Sequence, residues 1–327
     1  MDFEFILPDD LVPACHASTI ALSSSGLVVS FFAGTREGDA DVGIWVSIRR
    51  DSGWTVPTEV ANGVVSPTQR HPCWNPVLFQ VPNGPLLLFY KVGPTCSAWW
   101  GMLTTSDDGG QTWSKPERLP ENVLGPIKNK PVQLADGSLL CPSSDESAGW
   151  HVRLERTSDL GRTWETVGPL NDADLIDAIQ PTILCHAGGW LQLLCRTKQG
   201  FIGACWSDDG GITWDPMRLT ELPNPNSGID AVVLRDGRAL LVYNHSGKRA
   251  GEWGGPRSPL NLATSPDGRR WQSAVVLESE PGEYSYPAMI QTPDGRVHVT
   301  YTWNRTNVRH CALEPREISA SLDSHGP

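Results

Sequence analysis

Several features are missing from this 327-residue chain. No run of about 18 apolar residues occurs, so no membrane-crossing helix is expected. There is no Lys/Arg run, and 26 basic side chains face 37 acidic ones, for a formal charge of −11. That balance excludes a nucleic-acid binder working through a broad positive field, and any anionic ligand must meet a local cationic pocket instead. Cys15, Cys73, Cys96, Cys141, Cys185, Cys195, Cys205 and Cys311 form no C-x-x-C and lie scattered through apolar runs. Buried free thiols in a reducing compartment are therefore expected, rather than disulfides or zinc. The histidines are dispersed and no acidic series has calcium-loop spacing, so neither a metal nor another cofactor is expected. The start, MDFEFILPDDLVPA, carries two acids before its apolar patch and no basic segment, so no secretory leader is expected. The expected location is cytoplasmic, which makes the sequons at Asn244 and Asn304 chance matches. No amphipathic helical stretch of useful length appears.

Turn formers, by contrast, are abundant: 32 Gly and 27 Pro, about 18 % of the chain, against an average near 12 %. They fall in a repeat. Ser106–Trp113, Thr157–Trp164 and Ser207–Trp214 share the pattern [ST]-x-D-x-G-x-T-W. Degenerate copies run from Ser47 to Trp54 and from Ser265 to Trp271. In each, the Asp accepts turn amides, the Gly takes positive φ, and the Trp packs the hairpin onto the sheet beneath. This is a fold-stabilising signature, not a ligand site.

A second repeat interleaves with the first. Six apolar strands, entered at His16, Asn75, Lys130, Gln180, Asp230 and Tyr286, each run into a Gly turn and then another short apolar strand such as LQLLCR or VHVTYT. Strand, turn, strand, strand, Asp turn, strand describes a four-stranded blade. Six units make an all-β, six-bladed β-propeller of antiparallel four-stranded blades, read as one domain over residues 1–327. The last unit lacks a Trp turn, and the N-terminal FEFIL is expected to supply its outer strand.

These turns resemble the Asp-boxes of sialidases (neuraminidases) and other BNR-repeat proteins, a likeness that runs along essentially the whole chain. More specific matches lie between the boxes. FFAGTRE around Arg36 looks like the sialidase segment preceding the general acid/base, here Asp41 with Asp39 as rival. LQLLCR ending at Arg196, and GPRSPLNL containing Arg257, resemble the second and third arginines of a carboxylate-binding triad. EYSY resembles the segment with the nucleophilic tyrosine, which is Tyr284 by local motif and Tyr286 by distance to the next Gly turn. Two departures stand out: His16 where the family carries the first arginine, and Gln180 where it places the glutamate that activates the tyrosine.

The repeat also predicts which residues meet. First strands line a propeller's channel, so the residue before each Pro or Ala gives a ring of His16, Asn75, Lys130, Gln180, Asp230 and Tyr286. Lys128 and Tyr284 fall two residues earlier on the same strand face. The ends of the second strands add Arg36, Lys91, Arg196 and Asn244. Arg36, Arg196 and Arg257 follow apolar strands, where a forked cation suits a carboxylate; Glu278, Glu280 and Glu283 are the alternative partners. The resemblance implies an exo-acting, sialidase-like glycoside hydrolase taking a terminal acidic sugar, with no nucleic-acid or membrane partner expected. A uronate lyase using His16 or His71 as base, and a non-catalytic propeller stacking sugars on Trp74, Trp99, Trp100, Trp150 and Trp253, are the alternatives.

Overall fold

Short apolar strands bounded by Gly turns bury their faces only by stacking sheet on sheet, and a ring of sheets removes nearly every exposed edge. The computed structural model describes residues 1–249 and 251–318. Its strands pair antiparallel into six blades. Blade 1 holds Ala14–Ser23, Gly26–Gly34, Gly43–Arg50 and Thr58–Ala61, with the short Gly53–Trp54 beside it; blade 2 holds Cys73–Gln80, Leu86–Val92, Trp100–Ser106 and Glu117–Arg118. Blade 3 is Val132–Gln133, Leu139–Asp145, His151–Thr157 and Glu165–Val167; blade 4 is Ala178–Cys185, Leu191–Thr197, Phe201–Ser207 and Arg218–Pro223. Blade 5 is Asp230–Val233, Ala239–Asn244, Leu260–Ser265 and Gln272–Glu278. Blade 6 is Tyr284–Gln291, Val297–Trp303 and Asn307–Leu313, and Asp2–Phe5 pairs with that last strand as the outer one. The N-terminal closure therefore stands, with Phe3 packed against the core of blade 6.

The Asp turns form as their chemistry dictates. Asp209 Oδ1 accepts the Ser207 hydroxyl at 2.9 Å and the Ile212 and Thr213 amides at 3.0 Å. Gly109 adopts φ 75°, and a Cβ there would lie 2.6 Å from the Ser25 hydroxyl of blade 1. The tryptophans do more than cover their own sheet. Trp113 packs into a core shared by blades 1 and 2, Trp164 into that of blades 2 and 3, Trp271 into that of blades 4 and 5, and Trp54 meets the His310 ring of blade 6 edge-to-face at 5.3 Å. Each is a wedge between neighbouring blades. Of the eight free cysteines, Cys96 and Cys185 are exposed and the other six buried, so burial holds for most of them, not all.

The strand register corrects the expected ring. Counting nine residues back from each turn glycine, rather than from each Pro, gives Ala17, Asn75, Lys128, Gln180, Gly228 and Tyr286. Four of these have left-handed backbones: Ala17 (φ 57°), Asn75 (37°), Gln180 (54°) and Tyr286 (50°). Pairing with the second strand shifts at each of them. This is the mouth ring. Lys130 and Asp230, two residues further along, belong to a deeper level with Thr182, and His16 precedes its ring position by one.

Candidate active site

At the mouth, Arg196 ends the second strand of blade 4 and is 5 % exposed. Its Nε donates to Asn226 Oδ1 at 2.8 Å; its Nη1 donates to the Tyr286 hydroxyl at 3.0 Å and to Gln180 Oε1 at 3.2 Å. Gln180 Nε2 donates to the same Tyr286 oxygen at 3.2 Å. The guanidinium lies 5.3 Å above the Trp150 ring. Gly228 floors the group: a Cβ there would stand 3.3–3.6 Å from Lys128, Tyr286 and Gln180. Of the two candidate tyrosines, Tyr286 stands here. Tyr284 is buried in the blade 5–6 core with Leu234 and Met289, because the bulge at Tyr286 breaks the strand's alternation between them.

Arg257 stands on the loop before the third strand of blade 5, held by its carbonyl, which accepts Asn244 Nδ2 at 2.8 Å and the Tyr284 amide at 3.2 Å. Its Nη1 is buried without a hydrogen-bond partner among the described residues. Burial first, then the charge of Arg196, pulls its pKa down to about 10. Arg36 is not part of this group: its side chain is 79 % exposed and pairs with Asp39 at 3.1 Å. The third guanidinium comes instead from Arg305, on the turn after the second strand of blade 6, where it binds Glu283 at 2.6 Å and also Glu37. Among the expected structural acids, Glu283 thus holds Arg305, while Glu278 pairs with Arg309. The convergence is recorded by His16. Its Nδ1 bonds the Thr302 hydroxyl at 2.8 Å and its ring packs 4.2 Å from that of Tyr286. Its pKa lies well below the usual histidine range, through burial and then the charges of Arg305, Arg257, Arg196 and Lys128.

Lys128 is buried beside them and donates to Asn129 Oδ1 at 2.9 Å, to the Ile229 carbonyl at 2.8 Å and to the Pro287 carbonyl. Burial lowers its pKa to about 7. Below the mouth, Lys130 meets Asp230 at 2.9 Å, and Asp230 also accepts the Thr182 hydroxyl and the Met289 amide, each at 2.8 Å. That knot ties blades 3, 4, 5 and 6 together across the channel, a structural occupation rather than a ligand-facing one. Lys91 is likewise buried, donating to the Pro126 carbonyl at 2.8 Å. Asn75 is buried at its ring position.

Three carboxyls rim the mouth loops. Asp41 Oδ2 accepts the Thr35 amide and hydroxyl at 2.8 Å each. Burial pushes its pKa up, but these bonds outweigh it and hold the carboxyl below its ordinary value. Asp39 is the partner of Arg36. Glu146, which the sequence reading overlooked, follows the second strand of blade 3; burial raises its pKa against the opposing charge of Arg196. Lys198 stands 4.6 Å above the Trp150 ring and 5.9 Å from the ring of Trp253, which is 63 % exposed. His71 sits on the rim against Trp100, ring centroids 5.6 Å apart. Among the described residues, no group of three or more His, Cys, Asp or Glu is arranged to hold a metal.

A family model described as a BNR repeat-like domain matches residues 25–299. Among curated proteins, an anhydrosialidase of Macrobdella decora is 25 % identical over 229 residues, covering 62 % of this chain and 30 % of that protein. The chain thus spans under a third of that relative's length. Among solved structures, a Hadza microbial sialidase superposes with a TM-score of 0.80 at 18 % identity, covering 97 % of this chain and 69 % of that one. A protein of unknown function from Dyadobacter fermentans superposes with a TM-score of 0.77, also at 18 % identity, covering 96 % and 98 %. At such identity, these two likenesses speak for the fold alone.

Proposed function

Because the chain belongs to the BNR repeat-like family and is sialidase-like within it, we propose that its mouth grips a terminal acidic sugar by the carboxylate and cleaves the adjoining glycosidic bond. One observation carries this reading: Arg196 is bonded to the Tyr286 hydroxyl while neighbouring Arg257 keeps a buried Nη1 that has no partner among the described residues. Two guanidiniums pressed together in a low-dielectric site repel, and an incoming carboxylate relieves that repulsion while accepting a forked pair of hydrogen bonds. Arg305, already neutralised by Glu283 and Glu37, is the third wall. Tyr286 then faces the anomeric carbon. A neutral phenol is not repelled by an anionic substrate as a carboxylate nucleophile would be, and it stabilises or attacks the oxocarbenium-like centre. Of the rim acids, Glu146, held up, is suited to donate the proton to the leaving oxygen; Asp41, held down, is suited to accept one from water.

A uronate lyase is the second reading, favoured by one fact: His16 is kept neutral beside Tyr286, the state a proton-abstracting base needs. Turnover of fluorogenic sialosides and uronosides, with ultraviolet absorbance followed for unsaturated product, separates the two. Arg196→Ala should weaken the acidic ligand by about 2–5 kcal/mol, at least about thirtyfold in Kd. Equal binding of the acid and its neutral methyl ester by the wild type would end the carboxylate reading.

A further inference from the structure

Beside the arginines lies a cavity of about 310 Å³ that the cleavage chemistry above does not use. Its walls include Ala14, Phe32 and Val42, and His16 closes one side. His16 packs edge-to-face on Phe32 at 5.6 Å and lies 4.2 Å from the Tyr286 ring, so the cavity begins one ring's thickness from the group that holds Arg196. Arg305 and Glu37, 37 % and 39 % exposed, form an ion pair that bridges blades 6 and 1 at its edge. Glu283 takes the remaining charge of that arginine. His16 is neutral and its Nδ1 is committed to Thr302. Arg36, also on its wall, is paired with Asp39 at 3.1 Å, so each charged side chain lining the cavity already has an ionic partner. Water entering finds few partners on Ala14, Phe32 and Val42, so an apolar group that displaces it gains affinity.

We propose that this cavity is a substituent subsite, taking a compact uncharged apolar group, such as a methyl ether, carried next to the sugar carbon that bears the carboxylate. The inference rests on the clamp of Arg196 and Arg257 proposed above. Proximity sets the position on the sugar: a group reaching past His16 while the carboxylate sits on the arginines must branch from a neighbouring carbon.

The test is calorimetric binding of methyl glucuronoside and its 4-O-methyl ether, a pair differing by one methyl next to the carboxylate-bearing carbon. The wild type is expected to prefer the ether at least about fourfold, the worth of one buried CH₂-sized group. Ala14→Leu, with Ala14→Val as the milder step, fills the space and should bring the ratio toward one in graded fashion, with melting curves confirming that both variants fold. Equal affinities in the wild type, or a preference that survives Ala14→Leu, would overturn the subsite. If neither uronoside binds while a sialoside is turned over, the subsite falls and the clamp stands. If the ether is preferred but its carboxyl methyl ester binds equally well, the clamp fails while the cavity's preference remains.

Discussion

Tyr286→Phe removes one oxygen from the centre of the mouth and leaves the ring in place. That oxygen accepts Arg196 Nη1 at 3.0 Å and Gln180 Nε2 at 3.2 Å. Arg196 keeps Asn226 and Gln180 Oε1 as acceptors, so its charge is not stranded, while the Gln180 amide loses its one acceptor among the described residues. The folding cost should then be that of one unsatisfied donor, about 1–3 kcal/mol, and the melting temperature should fall by a few degrees. Catalysis should respond far more: loss of a group that meets developing charge costs about 10²–10³ in kcat. Binding should go the other way, because Nη1 of Arg196 is released toward the ligand carboxylate, and Kd should stay level or tighten. Single-turnover kinetics with calorimetry on the same acidic ligand separates the terms. Tyr284→Phe, in the core, is the control expected to leave both near wild type. A Tyr286→Phe enzyme with full kcat would refute the assignment, and one that loses binding in step with rate would reduce Tyr286 to a ligand contact.

The Asp turns and the buried lysines give opposite signs in pH. Asp159 and Asp209 are held at about 2 by hydroxyl and amide donors of their own turns, below the ordinary carboxylate value. Their stabilisation is complete above pH 4 and is lost as pH falls toward 2, so Asp209→Ala should melt lower than wild type at pH 7, and that gap should close near pH 2. Equal gaps at both pH values would refute this. Lys91 and Lys128, brought by burial to about 7, bind fewer protons folded than unfolded above that pH. Stability should therefore climb from pH 7 to about 8.5 in denaturant titrations. Above about 9 the buried thiols reverse it, because burial lifts Cys15 to about 12 while the unfolded thiol ionises. A flat profile between pH 7 and 8.5 would mean that both ammonium groups are fully satisfied by their carbonyl partners.

The blades were readable because each Asp turn needs fixed residue types at fixed spacing, and turn chemistry is local. The mouth was less so. Proline marked where the inner strands enter the channel, yet the residues that face one another are counted from the following glycine; the two counts agree at Asn75, Gln180 and Tyr286, where the bulged residue directly precedes its proline, and disagree in the other three blades. In those blades His16 gives way to Ala17, Lys130 to Lys128 and Asp230 to Gly228, because the Pro or Ala that marked the strand does not directly follow the ring residue. Arg305 was overlooked although it trails an apolar strand, VHVTYTW, as Arg36 trails FFAG. Both cations follow a second strand; which of them turns inward depends on acids distant in sequence, Glu283 and Glu37 for Arg305, Asp39 for Arg36. Glu146 carried no sequence signal at all, since its raised pKa comes from burial among loops of other blades.

The left-handed residues explain why the mouth works as a unit. A non-glycine residue at positive φ costs about 1–3 kcal/mol, and four occur here at one level of the ring. Each bulge would also leave an unpaired amide on the next residue, but at three of the four that residue is Pro76, Pro181 or Pro287, which has no N–H to leave unsatisfied. The strain turns Gln180 and Tyr286 out of the strand alternation, so that their polar ends meet over Gly228 instead of entering the cores beside them. A lone sheet would relax such a bulge. A closed ring, pinned below by the Lys130–Asp230–Thr182 knot and outside by the Asp2–Phe5 strand, resists that relaxation. The tyrosine, the amide and the guanidinium are therefore in place before any ligand arrives, and binding energy need not be spent on assembling them.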